Sequence, residues 1–133
     1  MSVPETGVMM QAMAAKDLNA LRGMADPNIF ADEIYGFHAQ QAVEKMLKAW
    51  ISLAGGSFGF IHDLERLLLE LEQLGCDARR FEDLVELAPF AVQFRYEEME
   101  REDVPLDRAD ILHRVEELYA HVQSLSGRNH PSP

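Results

Sequence analysis

The chain has 133 residues, of which 47% are hydrophobic and 26% charged. That length and apolar content suit one domain with a packed core and exclude a disordered chain. Twelve basic residues face 23 acidic ones for a formal net charge of −11, and a single cysteine excludes a disulfide framework and a cysteine-cluster zinc site.

No apolar run approaches the roughly 18 residues that cross a bilayer, and the first residues lack the charged start and apolar block of a secretion signal. A cytoplasmic protein with no membrane contact is expected. The charge is uneven: residues 1–60 carry four basic and six acidic side chains, a net of −2, and residues 61–133 carry eight and 17, a net of −9. Non-specific nucleic-acid binding rests on cations that release counterions. This chain repels a long polyanion, so DNA is not an expected partner, whereas its field favours a basic protein.

Helical periodicity dominates, and no run alternates as a strand does. The first helix is expected over Val8–Met24, with Met9, Met13, Leu18 and Leu21 on its apolar face. It ends at Asp26-Pro27-Asn28, where proline stops one helix and can start the next. The second is expected over Ile29–Leu53. At 100° per residue, Tyr35, Ala39, Ala42, Val43, Met46, Leu47, Ala49, Trp50 and Leu53 share a broad arc. Ile34, Phe37 and Ile51 lie outside it, so a second side is expected to be covered and this helix to be central. Its polar arc holds Gln40, Gln41, Glu44, Lys45 and Lys48, with His38 at the border.

The glycine-rich Ala54–Phe60 lacks the Lys-Ser/Thr and the preceding strand of a phosphate loop and reads as a connection. A third helix starts at His62-Asp63, carries Leu64, Leu67, Leu68, Leu71 and Leu74, and stops at Gly75. A fourth, Arg79–Glu98, contains Pro89, which predicts a kink near Ala88. Its expected contacts are Phe81, Leu84, Val85, Ala88, Val92 and Phe94. An acidic loop follows, and Leu106-Asp107 opens a last helix with Leu112, Val115, Leu118, Tyr119, Val122 and Leu125 inward. The expected organisation is one helical domain over residues 1–126 and a disordered tail over 127–133.

Di-iron bundles need a Glu-x-x-His pair on each of two helices. Asp110-Ile111-Leu112-His113 is a single copy, so no metal and no cofactor are expected. Cys76 has no placed base, and no residue is assigned a catalytic role. Three segments carry polar chemistry. His38, Gln41 and Lys45 follow i, i+3, i+7 spacing and share a stripe. His62 and Asp63 open a helix, where free N–H groups favour an anion. Arg95 beside Tyr96 ends the proline-containing helix with a cation and a phenol.

The phrases His38-Ala39-Gln40-Gln41-Ala42 with Glu44-Lys45, then His62-Asp63-Leu64, then Pro89-Phe90-Ala91-Val92 with Phe94-Arg95-Tyr96, resemble HEPN domains in order and spacing, over roughly residues 8–126. The resemblance implies an all-α, antiparallel up-and-down bundle of four to five helices, usually a homodimer. It further implies nucleotide or RNA as ligand and a minimal nucleotidyltransferase as partner, as in toxin–antitoxin systems. Some members are metal-independent ribonucleases with an Arg-x(4–6)-His motif, in which Arg neutralises the phosphate and His moves protons during attack by the 2′-hydroxyl.

Here the positions counted from Arg95 hold Glu100, Arg101 and Glu102, so that chemistry is not expected. Arg114 and His121 have motif spacing by count, but about 10.5 Å separates them along one helix, and both are expected on a solvated face. The expected function is therefore a non-catalytic dimeric module that binds a nucleotide or a nucleotidyltransferase. Its expected site is His38, Gln41, Lys45, His62, Asp63, Arg95 and Tyr96. The alternatives are a ribonuclease with a degenerate motif and a structural protein-interaction module.

Overall fold

The computed structural model describes residues 3–91 and 105–128. In chain order these form α1 (Val3–Gly23), α2 (Asp32–Leu53), α3 (Leu64–Gln73), a 3-10 helix (Arg79–Ala91) and α4 (Arg108–Arg128). The fold is an all-α antiparallel bundle, with no strand among the described residues. None of the described helices is long and apolar enough to cross a membrane. α2 packs against each of the other four elements and is the central helix.

Small residues set how α1 meets α2. Ala14, Ala39, Ala42 and Ala49 are fully buried. At Gly7 an added Cβ would lie 3.0 Å from Leu53 Cγ and 3.2 Å from the Ala49 carbonyl. The small residues let the two helices approach closely, and α1 turns Gln11, Ala14, Leu18 and Leu21 inward. Met9 and Met13, expected in the core, are 41% and 40% exposed. α1 also begins before the expected Val8, and α2 begins at Asp32 after a turn in which Asn28 N–H donates to Asp26 Oδ1 at 2.9 Å.

Glycines end α2 and α3 in the same way. Gly55 and Gly75 take φ of 86° and 84°, which costs glycine little. The next N–H, of Gly56 or Cys76, then reaches back to Ile51 or Leu71 at 2.9 Å, closing the paired bonds of a Schellman end.

The fourth element departs from expectation. Phe81, Leu84, Leu87 and Phe90 are its buried residues, spaced every third position, and a helix of three residues per turn stacks them on one line. Instead of an α-helix kinked at Ala88, Arg79–Ala91 winds as a 3-10 helix containing Pro89. Val85 and Ala88 are only partly buried against the core. The expected continuation to Glu98, with Val92 and Phe94, lies outside the described residues.

α4 starts at Arg108, one residue after Asp107, whose Oδ1 accepts from Asp110 N–H at 3.1 Å. It runs through Gly127 to Arg128, into the segment expected as tail; residues 129–133 lie outside the described residues. Arg108 is buried and ties the helices together. Its guanidinium donates to the carbonyls of Met24 at 2.7 Å and Phe30 at 2.5 Å and to Asp32 at 2.8 Å. The same group lies 4.9 Å from the centre of the Tyr35 ring, and the Tyr35 hydroxyl donates back to the Arg108 carbonyl at 2.9 Å.

Candidate functional site on the central helix

α2 carries two polar clusters. On the side of α1, Asp17 accepts from two residues of α2. Lys45 Nζ lies 2.6 Å from its Oδ2 and His38 Nδ1 3.2 Å from its Oδ1. The seven-residue spacing puts both partners on one stripe, and the shared carboxylate neutralises the lysine. The His38 ring also meets Phe37 edge-on at 5.5 Å.

The second cluster is buried: Gln40 is 1% exposed, Glu44 7% and Lys48 7%. A buried carboxylate without donors costs several kcal/mol, and Glu44 has three. Gln40 Nε2 donates to Oε1 at 3.0 Å, while Lys48 Nζ and His62 Nδ1 each lie 3.1 Å from Oε2. Burial pushes the Glu44 carboxyl up, but hydrogen bonds from His62, Gln40 and Lys48 outweigh it and hold its pKa below the usual carboxylate value. Glu44 is therefore ionised at neutral pH. Gln41 Nε2 extends the network by donating to Gln40 Oε1 at 2.7 Å. Lys48 Nζ lies 3.2 Å from His62 Nδ1 and 5.4 Å from the centre of the Phe58 ring.

His62 differs from the rest. Its side chain is 70% exposed, against 9% for the Glu44 side chain that holds it. With the Nδ1 hydrogen given to Glu44, Nε2 is the nitrogen left for a ligand: an acceptor in the neutral ring, a donor in the charged one. A carboxylate that fixes one ring nitrogen also fixes the direction of the other. Asp63 has a different job. It is the N-cap of α3 and accepts from Glu65 N–H at 3.0 Å, so the helix N-terminus already holds the protein's own anion.

The expected residues thus fall into groups. His38 and Lys45 meet on Asp17, Gln41 is linked through Gln40 and Glu44 to His62, and Asp63 caps the helix that His62 precedes. Arg95 and Tyr96 lie outside the described residues. Sequence reading placed Glu44 and Lys48 on the polar arc and gave them no part in the site. The available signal was that Glu44 falls only about 20° from Ile51 on the helical wheel, which is the edge of the apolar face.

Elsewhere the polar pairs are structural. His113 Nε2 contacts Glu117 at 2.6 Å on the surface, and no three His, Cys, Asp or Glu residues among those described group as metal ligands. Arg114 is held by Asp110 at 2.9 Å and Glu86 at 3.8 Å. His121 is not on a solvated face as expected. It is partly buried, with ring centres 4.7 Å from Trp50 and 5.7 Å from Phe81, because α4 turns this position toward the end of α2.

Such a helical bundle, with a polar centre on its longest buried helix, is matched by the family model of the HEPN domain over residues 12–125. The chain belongs to the HEPN domain family, whose members are generally nucleotide-binding or ribonuclease-like modules. Neither the curated proteins nor the solved structures compared with it gave a match.

Proposed function

We propose that the chain is a HEPN module that binds a nucleotide without cleaving RNA through the usual motif, acts as a homodimer, and serves a minimal nucleotidyltransferase. The observation that supports ligand binding is His62, an exposed imidazole braced at Nδ1 by the buried, ionised Glu44. An imidazole of fixed orientation presents Nε2 in one direction, and a ring that carries both protons donates from it to a phosphate oxygen. Lys48, held on the same carboxylate oxygen, adds positive potential behind it. For the dimer and the nucleotidyltransferase the support is family membership, and for the lack of cleavage it is Glu100, Arg101 and Glu102 in place of the motif histidine.

Titration calorimetry of the full chain with AMP, ATP and GTP tests the binding claim. We expect measurable binding that weakens in His62→Ala, with the melting temperature measured alongside because the change also removes one of the three donors to Glu44. Absence of binding to the unaltered chain removes the claim.

The same dyad favours one second reading. An imidazole oriented by a carboxylate is an acid–base pair, and an RNA substrate brings its own nucleophile, the 2′-hydroxyl. In that case the purified chain releases fragments ending in 2′,3′-cyclic phosphate, and His62→Ala abolishes the release. RNA left intact by the unaltered chain discards this reading and leaves the binding module.

A further inference from the structure

Phe60 is 96% exposed, more than any other large hydrophobic side chain among the described residues. It does not sit on a frayed segment. The loop leaves α2 through the Schellman turn at Gly55 and Gly56, and a Cβ at Gly56 would lie 2.6 Å from a Leu74 methyl. Ile61 N–H then donates to the Phe58 carbonyl at 3.0 Å, and Gly59 within this turn takes φ of 52°. Phe58 and Ile61 pack against the core, which leaves Phe60 outward at the tip. The fold leaves this large apolar ring in water, two residues before His62.

We infer that Phe60 is the stacking face for a nucleobase whose phosphate is met by His62. This rests on the nucleotide-binding reading above and narrows it. Two residues of chain span at most about 7 Å, so the exposed ring and the exposed imidazole are anchored within the length of one nucleotide. A nucleotide has that form, a flat π system one ribose away from an anion, and base-on-aromatic stacking is the general means of holding unpaired bases. A protein-docking face would be a broad apolar patch. Around Phe60 the chain instead supplies Ser57, Gly59, His62 and Asp63. The net charge of −11 further selects ligands with few phosphates, a nucleoside monophosphate or the end of a single RNA strand.

Calorimetry of the full chain with AMP, adenosine and inorganic phosphate tests this on the unaltered protein, Phe60→Ala and Phe60→Tyr. The expected result is that Phe60→Ala weakens AMP and adenosine binding by about fivefold or more while phosphate binding and the melting temperature hold. Phe60→Tyr retains the affinity for AMP. Equal AMP affinity in the unaltered chain and Phe60→Ala overturns the stacking role and leaves the His62 reading standing, whereas no AMP binding to the unaltered chain removes both. If Phe60→Ala instead converts a dimer to a monomer in sedimentation with AMP affinity unchanged, the ring is a protein contact and the inference is wrong.

Discussion

At Glu44 three donors keep a carboxylate ionised in a buried position, and this has a consequence with a definite sign. Its pKa is held below the ordinary glutamate value, so the folded state binds the proton less readily than the unfolded chain does. The stability this gives is fully present above about pH 4.5 and is lost as pH falls through the lower folded value. Urea midpoints measured from about pH 3 to pH 6 should therefore fall more steeply on acidification for the unaltered chain than for Glu44→Gln, where this group no longer titrates. Equal slopes would show that Glu44 is not the group responsible. Arg108 offers a second test at this scale. Its side chain is 7% exposed and its partners are two carbonyls and Asp32, so Arg108→Ala removes the charged donor from two carbonyls and from a partly buried Asp32 that keeps the Leu106 N–H. We expect a loss of about 3–5 kcal/mol, read as a lower urea midpoint at unchanged slope. Arg108→Lys should recover only part of it, since an ammonium cannot reach three acceptors in a fork.

Among the elements, the contact between α2 and the 3-10 helix is the tightest place to probe. A Cβ at Gly36 would lie 2.3 Å from Phe90 Cδ1 and 2.5 Å from Cγ, and a rigid ring over a glycine cannot swing aside as the end of a lysine can. Ala is the better helix former by about 0.5–1 kcal/mol, yet displacing a core ring costs about 1–3 kcal/mol. Gly36→Ala should thus destabilise on balance, and a melting temperature equal to or above that of the unaltered chain would contradict the contact. The sequence made much of this legible. Asp63, Gly75 and Leu64, Leu67, Leu68 and Leu71 of α3 are local signals, because a cap or a glycine stop acts within one turn, and the structure places them as read; Leu74, expected on the same stripe, is 38% exposed at the C-cap. The face of α1 was not legible, since which side turns inward depends on how closely α2 approaches. The 3-10 helix was missed because Phe81, Leu84, Val85 and Ala88 fit an α-helical stripe, whereas the buried residues are Phe81, Leu84, Leu87 and Phe90, and only their strict period of three marks the tighter helix. Within the site, His62 could be named as a candidate from its place before a cap. Its hold on Glu44 depends on loop 54–63 folding back along α2, which periodicity does not encode.

For the whole molecule the net charge is acidic, and several of the described cations are held by carboxylates. Arg79 bonds Glu72 and lies 3.0 Å from Glu65, and these hydrogen bonds raise its pKa. Arg114 is surrounded by Asp110, Glu86 and Asp83. Lys45 is taken by Asp17 and Lys48 by Glu44. An anionic ligand approaches a net charge of −11, and in the proposed site its favourable contacts would act over a short range, by stacking on Phe60 and through the His62 imidazole. Salt then acts opposite to its usual role. Basic nucleic-acid binders lose affinity steeply as salt rises, because counterion release weakens. Here added salt screens repulsion over a Debye length of about 10 Å at 0.1 M and has few long-range attractions to screen. We expect the affinity for AMP to stay level or rise between about 0.05 M and 0.5 M KCl, and ATP to bind no more tightly than AMP, since each added phosphate adds repulsion. A tenfold loss of AMP affinity across that range, or clear preference for ATP, would mean that a cluster of cations holds the phosphate, and a lone histidine on a buried carboxylate would then be the wrong centre for the site.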